Sequence, residues 1–346
     1  MVRFCLTVAG PTALLLLAAC ATSCRNGSSG QAADPRSEAG GAAPAACDRP
    51  HCPEMVYDRK GNDLIRGVEV DATDVYWCEA SPAGLKVRAA KKTGGGEVRT
   101  LGDWHDFETG DALVVDDAHV YWLRPGALVR VPKSGGSPQT FSLPAQANQG
   151  LGPIKNWGND ILVGGHDCTY AIRMPKNGST PTVWAISSKS RVGGVTGFET
   201  DENSVYCSSG PDVFALDTQS GQSRVLVSNQ DMAGPLKKVG ADLYFVNNRP
   251  IIGKGENLAV LRKDSAGPVD LGPVFGNVGR LQYDSKVGRM YWATGLSPDV
   301  CQIGAYDPAG KKTELLFDKV DVMGTTAMDD IYLYWLADHR VMRLQK

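Results

Sequence analysis

The sequence predicts an all-β fold, a seven-bladed β-propeller of four-stranded antiparallel blades that is closed by an N-terminal strand. The first observation is a repeated phrase: a turn rich in Asp and Asn, an aliphatic residue, then Tyr-Trp or a degenerate form of it. Its aligned positions are 76, 121, 161, 206, 244, 291 and 334, which are 45, 40, 45, 38, 47 and 43 residues apart. Repeats of this length with strand-forming composition are typical of propeller blades. The second observation is that each period fits four short strands and shows no helical periodicity.

The N-terminus has the features of a targeting segment. Arg3 supplies a positive charge, and a run of four leucines at 14–17 belongs to a short apolar core. The run is too short to span a membrane. Leu17-Ala18-Ala19-Cys20 resembles a bacterial lipobox, which implies cleavage before Cys20 and acylation of that cysteine. The alternative is an ordinary secretory signal with a coincidental cysteine.

Residues 20–53 form a predicted tether between the lipidated Cys20 and the folded domain. No Leu, Ile, Val, Met, Phe, Tyr or Trp occurs from Ala21 to Glu54. Such a segment cannot bury enough apolar surface to offset its conformational entropy, so we expect a flexible chain. Ala21, rather than aspartate, follows the cysteine, which is similar to the sorting signal of outer-membrane lipoproteins. The predicted organisation is therefore a signal peptide at 1–19, a tether at 20–53 and a propeller at 54–346, in a protein of the bacterial cell envelope.

The first strand of the propeller is predicted to close the ring. The last repeat stops at Lys346 and lacks an outer strand, whereas residues 55–59 form an orphan strand before the first repeat. This orphan begins about 20 residues before Tyr76, as Leu101 precedes Tyr121. We therefore expect residues 54–59 to pair with residues 340–345 and to complete the last blade.

The second repeat shows the four strands of one blade most clearly. Asp116 and its neighbours have turn composition, and Gly135-Gly136 marks a hairpin turn. The strands between these turns are rich in β-branched and aromatic residues. The proline that begins the outermost strand suits an edge position. The predicted strands are 112–115, 120–123, 127–131 and 138–143.

Residues 120–136 carry a family resemblance. The pattern Val-Tyr-Trp, a turn, then Arg130-Val131-Pro132-Lys133 and Gly135-Gly136 resembles the YWTD repeats of low-density-lipoprotein-receptor-type propellers. It is still more similar to repeat lipoproteins of predatory or soil bacteria that spell Val-Tyr-Trp…Arg-Val-Pro-Lys-x-Gly-Gly. The resemblance covers residues 55–346 and implies a propeller. It departs from the receptors in having seven repeats rather than six and in lacking the Thr-Asp half of the motif, and it implies no activity.

Sequence motifs for catalysis, metal binding or cofactor binding are missing. The formal net charge is −2 and no basic run exceeds Lys91-Lys92, so nucleic acid is not an expected partner. We predict no catalytic residue, no metal and no cofactor. In the four-strand order, several loop residues fall on one face of the disc, where they are either a ligand-binding set or ordinary solvated loop residues. These are Trp104, His105, Arg124, His166, Asp167, Arg249, Asp338 and His339.

The chain has nine cysteines, and export permits disulfides. Cys168 and Cys207 occupy adjacent blades near one face, so we expect a bridge between them; the rival is a pair of buried thiols. The other four candidates fall in less clear positions. Cys47 and Cys52 flank a short loop that a bridge could close, and Cys78 and Cys301 belong to the first and sixth repeats.

Three classes of function fit this organisation. The favoured hypothesis is a monomeric, lipid-anchored binding or interaction module whose loops hold another envelope or extracellular protein, or a glycan. The second is an enzyme, of lyase or lactonase type, with its site at the mouth of the central channel. The third is a structural envelope protein without a discrete ligand.

Overall fold

The protein is a seven-bladed β-propeller, as the repeats predict. The computed structural model describes residues 52–58, 64–104, 113–149, 151–165, 168–186, 195–230, 233–247, 256–274, 278–294, 302–318, 323–337 and 339–346. Seven sheets of four antiparallel strands form the ring, and a 3-10 turn at Ala145–Gln149 is the one helical element of this described part. The described residues contain no helix that is long and apolar enough to cross a membrane.

The first four blades take their strands from the chain in consecutive order, from the innermost strand outwards. Blade 1 consists of β2 (Leu64–Val70), β3 (Asp74–Ser81), β4 (Gly84–Lys91) and β5 (Arg99–Trp104). Blade 2 consists of β6 (Leu113–Val115), β7 (His119–Arg124), β8 (Ala127–Pro132) and β9 (Gln139–Ser142). Blade 3 consists of β10 (Leu151–Trp157), β11 (Asp160–Gly165), β12 (Tyr170–Pro175) and β13 (Thr182–Ala185). Blade 4 consists of β14 (Val195–Thr200), β15 (Ser204–Ser209), β16 (Asp212–Asp217) and β17 (Ser223–Val227).

The last three blades follow the same plan until the ring closes. Blade 5 consists of β18 (Ala233–Val239), β19 (Asp242–Asn247), β20 (Glu256–Leu261) and β21 (Val269–Val274). Blade 6 consists of β22 (Val278–Asp284), β23 (Arg289–Thr294), β24 (Gln302–Asp307) and β25 (Lys312–Asp318). Blade 7 consists of β26 (Met323–Met328), β27 (Tyr332–Ala337), β28 (Arg340–Gln345) and, as its outermost strand, β1 (Glu54–Asp58).

The core lies between blades, and each Tyr-Trp pair contributes to two interfaces. Because successive side chains of a strand point to opposite faces of a sheet, the two aromatic rings leave the blade in opposite directions. Tyr76 packs toward blade 2 with Trp122, whereas Trp77 packs toward blade 7 with Tyr334. These side chains are at most 2% exposed. The repeated aromatic pair therefore holds each blade to both of its neighbours, which explains why the motif lacks the polar alternation of a sheet with one solvated face.

The strand β1 pairs with β28 and closes the ring, as predicted. Glu54 lies opposite Arg343, and Asp58 lies opposite Arg340. The guanidinium Nε of Arg343 donates to Glu54 Oε2 at 2.7 Å. The prediction for residues 54–58 is confirmed, and residue 59 lies outside the described residues.

The disc has two faces that differ in their connections. We call the turn face the end where the first and second strands, and the third and fourth strands, of a blade are joined. We call the loop face the opposite end, where the second strand leads to the third and one blade leads to the next. Because β1 is the fourth strand of its blade, it runs from the turn face, at Glu54, toward the loop face, at Asp58.

Candidate functional site

The loop face receives the predicted ligand residues that the structure describes. Trp104 is the last residue of β5, Arg124 is the last residue of β7, and His339 immediately precedes β28. All three positions are loop-face ends of strands, in the consecutive blades 7, 1 and 2. The other predicted members lie outside the described residues: His105, His166, Asp167, Arg249 and Asp338.

A disulfide joins blades 3 and 4 at the loop face, as predicted. Cys168 lies between β11 and β12, and Cys207 lies in β15; their Cα atoms are 6.2 Å apart. Both residues are 1% exposed. Cys168 has a φ of 61°, a left-handed conformation uncommon outside glycine, and its backbone N–H donates to the carbonyl of Gly165 at 3.2 Å. A tight turn thus aims this cysteine at the neighbouring blade.

Cys78, one of the disulfide candidates, is buried in the core of the propeller. It packs in the interface between blades 1 and 2, beside Val87 and Trp122, and so points away from blade 6. Cys52 is disulfide-bonded, and its partner lies outside the described residues, as do Cys47 and Cys301. The pairing of Cys47 with Cys52 stays a prediction.

Charged side chains from five inner strands meet in the central channel. We call this set the channel ring: Glu69, Lys155, Glu199, Lys237 and Arg280. Lys155 Nζ donates a short hydrogen bond to Glu199 Oε1, and Lys237 Nζ lies 3.7 Å from the same oxygen. Arg280 Nη1 donates to Glu69 Oε1 at 2.6 Å. The five side chains are between 9% and 24% exposed, so they are largely enclosed by the surrounding strands.

The charged groups of the channel ring shift one another's pKa values. Burial raises the pKa of Glu199, but the charges of Lys155, Lys237 and Arg280 outweigh burial and hold it below its ordinary value. Burial lowers the pKa of Lys155, and repulsion from Arg280 and Lys237 acts in the same direction against the attraction of Glu199. Lys155 and Arg280 come from blades 3 and 6. Charges from different parts of the ring therefore interact across the channel.

A separate ionisable group lies at the loop face between blades 5 and 6. Glu256 is the first residue of β20, and its Oε2 atom is buried without a hydrogen-bond partner in the described part of the chain. Burial raises the pKa of Glu256 to about 7, although the backbone N–H of Val278 opposes the shift. A carboxyl group that titrates near neutral pH is suited to general acid–base chemistry. Sequence analysis does not single out Glu256, because it belongs to no motif.

The turn face carries a repeated contact that sequence reasoning missed. In blade 1, Tyr76 donates its hydroxyl hydrogen to Asp71 at 2.7 Å, and Lys133 of blade 2 lies 2.6 Å from the same carboxylate. The ammonium also lies over the Tyr76 ring, 5.3 Å from its centroid. We call this Asp–Tyr–Lys contact a latch. Latches of the same kind join blade 2 to blade 3 and blade 7 to blade 1, through Asp116–Tyr121–Lys176 and Asp329–Tyr334–Lys92.

The latches explain two recurrent features of the sequence. An aspartate precedes the motif tyrosine by five residues, and a lysine follows the third strand, as in Arg-Val-Pro-Lys. Blade 3 has Asn156 and Ile161 in place of the aspartate and tyrosine, and blade 4 has Thr218 in place of the lysine. The residues that would form a latch between blades 3 and 4 are therefore replaced in both blades, and an alignment of the repeats shows this. Within the described residues, no group of three or more His, Cys, Asp or Glu side chains could hold a metal ion.

Comparisons with known proteins place the fold. No protein-family model matches the chain, and no curated protein sequence matches it. Among solved structures, it is similar to a streptogramin B lyase (TM-score 0.65, 13% identity, 85% of this chain and 97% of the lyase). It is also similar to virginiamycin B lyase from Staphylococcus aureus, with a TM-score of 0.66 and 13% identity over 86% of this chain and 99% of the lyase. A third similar structure is the WD40 β-propeller domain of Doa1, with a TM-score of 0.61 and 12% identity over 85% of this chain and 97% of that domain. At these identities, the likeness establishes the chain as a β-propeller.

Proposed function

We propose that this protein is a lipid-anchored binding module of the bacterial cell envelope, in the manner of the repeat lipoproteins that its motifs resemble. The observation that carries the proposal is where the chain joins the propeller. Cys52 and Pro53 lead into Glu54, which is paired with Arg343 at the turn face. An anchor at Cys20 therefore attaches to the turn face and leaves the loop face on the far side of the disc.

The tether gives the propeller freedom above the membrane. A flexible chain of the length of residues 20–53 has a root-mean-square span of roughly 30 Å. Acyl chains on Cys20 would stabilise anchoring by about 0.8 kcal/mol per buried methylene. The loop face is then accessible to a protein or glycan at the cell surface or in the periplasm, and the protein needs no second copy to present it.

The loop face supports this role in two ways. Strands of all seven blades end at this face, and Trp104 and Arg124 belong to the residue types that dominate binding energy at interfaces. The Cys168–Cys207 bridge fixes two neighbouring blades to each other at this face. Loops held by a rigid scaffold are the usual location of binding residues.

Site-specific photo-crosslinking in intact envelopes tests the proposal. A photoreactive residue at position 124, on the loop face, is compared with one at position 312, on the turn face, where the native lysine side chain is 71% exposed. We expect a discrete crosslinked species from position 124 that is absent from position 312. Equal crosslinking from both positions, or none from position 124, would contradict a loop-face binding site.

A second candidate function is catalysis at the loop face, and Glu256 favours it. Burial raises the pKa of its carboxyl group to about 7, and the group lies between blades 5 and 6. Because the neighbouring folds include lyases, virginiamycin B is a suitable first substrate. Enzymatic consumption of virginiamycin B that Glu256→Gln abolishes would establish this function, whereas consumption that survives the substitution would exclude Glu256 from it.

A further inference from the structure

The channel ring contains more positive than negative charge. Three cations, Lys155, Lys237 and Arg280, face two carboxylates, Glu69 and Glu199. The two lysines share Glu199, and Arg280 pairs with Glu69. Among the residues that the structure describes, one positive charge of this ring therefore has no carboxylate of its own. A desolvated charge without a partner is costly, and the cost falls when a counter-ion binds.

Lys237 has open hydrogen-bonding capacity. Its Nζ lies 3.7 Å from Glu199 Oε1, which is an ion-pair distance but is beyond hydrogen-bond range. The short bond to that oxygen belongs to Lys155. Because an ammonium group has three donors, the geometry leaves donors of Lys237 available to a second acceptor.

The inner strand of blade 7, β26, supplies a neutral acceptor beside Arg280. The carbonyl of Thr326 accepts hydrogen bonds from Arg280 Nη1 at 3.1 Å and from Gln282 Nε2 at 2.7 Å.

The fold holds the backbones that carry these cations close to one another. Lys155, Lys237 and Arg280 belong to β10, β18 and β22, the inner strands of three different blades. The ring of packed blades fixes these strands, so the cations stay within interaction distance of one another. An enclosed site lined by surplus positive charge concentrates anions, because its low-dielectric walls focus the field.

We propose that the channel ring binds one small inorganic oxyanion of the sulfate or phosphate class, held by the ammonium groups of Lys237 and Lys155. A tetrahedral oxyanion presents several acceptor oxygens, and hydrogen bonds between charged partners are the strong ones. This site is separate from the loop face and does not depend on the binding module proposed above.

Isothermal titration of the full-length protein with sulfate tests the site, with chloride used to keep the ionic strength constant. We expect saturable binding of one sulfate per chain. Lys237→Gln should weaken it at least tenfold. The matched control is Lys312→Gln, which makes the same change of charge at an exposed lysine 3.7 Å from its carboxylate; this variant should bind within twofold of the wild type.

A second variant keeps the test decisive if Lys237→Gln does not fold. Glu69→Gln removes the carboxylate that neutralises Arg280 at 2.6 Å, and it should strengthen sulfate binding severalfold. No saturable binding to the wild-type protein at tens of millimolar sulfate would overturn the proposal. Equal weakening by Lys237→Gln and Lys312→Gln would also overturn it, since it would show a response to net charge rather than a site.

Discussion

The ring of Tyr57 lies on the indole of Trp77, with their centroids 4.7 Å apart and their planes inclined by 34°. Tyr57 belongs to β1, the strand that completes blade 7, and Trp77 belongs to blade 1. The Tyr57 hydroxyl also donates to the buried carboxylate of Glu79 at 3.3 Å. The N-terminal strand thus pairs with the last blade through its backbone and contacts the first blade through its side chains.

Loss of the Tyr57 contact should weaken the closure of the ring. Tyr57→Ala removes an aromatic pair and a hydrogen bond, so we expect the free energy of unfolding to fall by about 2–4 kcal/mol in urea denaturation. Met55→Ala is the control, because Met55 lies on the same strand but is 46% exposed. A loss for Met55→Ala as large as that for Tyr57→Ala would refute the role of the stacked ring.

The latch at Asp116 should make stability depend on pH in the acid range. Burial raises the pKa of Asp116, but the backbone N–H groups of Ala118 and His119, Lys176 and the Tyr121 hydroxyl together lower it from 3.8 to about 2. A carboxylate with a depressed pKa contributes stability above its unfolded value and loses that contribution as the pH falls toward the folded value.

Asp116→Asn should therefore reduce the free energy of unfolding at pH 7 by on the order of 2 kcal/mol, and the difference from wild type should vanish as the pH falls from about 4 to 2. Urea denaturation at several pH values measures the effect. Asp330→Asn is the control, since Asp330 pairs with Lys286 in a bridge whose side chains are more than 60% exposed. A difference that persists at pH 2 would contradict the assignment.

The Cys168–Cys207 bridge should stabilise the native state. It closes a loop of 39 residues, for which chain entropy gives a stabilisation of about 4 kcal/mol. Reductant should lower the free energy of unfolding of the wild type more than that of a Cys168→Ala/Cys207→Ala variant, because both proteins keep the bridge at Cys52 and only the wild type has the Cys168–Cys207 bridge. Peptide mapping without reduction gives a direct check, and quantitative alkylation of both thiols in unreduced protein would show that the bridge is not formed.

Neutralising Glu256 should stabilise the protein at alkaline pH. A carboxyl group with a raised pKa favours folding while it is protonated, and this contribution is lost as the pH rises from about 4.5 to about 7. Glu256→Gln should therefore be more stable than the wild type at pH 8, by at most about 3 kcal/mol, and equal to it near pH 4. A constant difference at all pH values would show that Glu256 does not titrate in this range.

Acylation of Cys20 is the basis of the proposed anchor. Mass spectrometry of the mature N-terminus should find the lipid on residue 20, and Cys20→Ala should release the protein from the membrane fraction. Cys24→Ala is the matched control and should stay in the membrane fraction. An unmodified residue 20 in wild-type envelopes would remove the anchor from the proposal.

The repeated aromatic pair lies within a few consecutive residues of each blade, and its repetition was sufficient to predict the propeller architecture. Each motif such as Val120-Tyr121-Trp122 places one ring on each face of its strand, which only two flanking blades can bury. The count of seven and the missing last strand then predicted the closure by β1. The disulfide was predictable for the same reason, because the repeat register places Cys168 and Cys207 at one end of adjacent blades.

The tertiary structure alone decided which charged residues meet. Glu69, Lys155, Glu199, Lys237 and Arg280 are far apart in the chain and share no motif, and they converge because closing the ring brings all inner strands to one channel. The side of a strand on which a residue lies also required the structure, as Cys78 shows: it packs in the interface between blades 1 and 2. A sequence repeat specifies the blade, whereas the electrostatics of the channel depend on distances between blades that no single repeat contains.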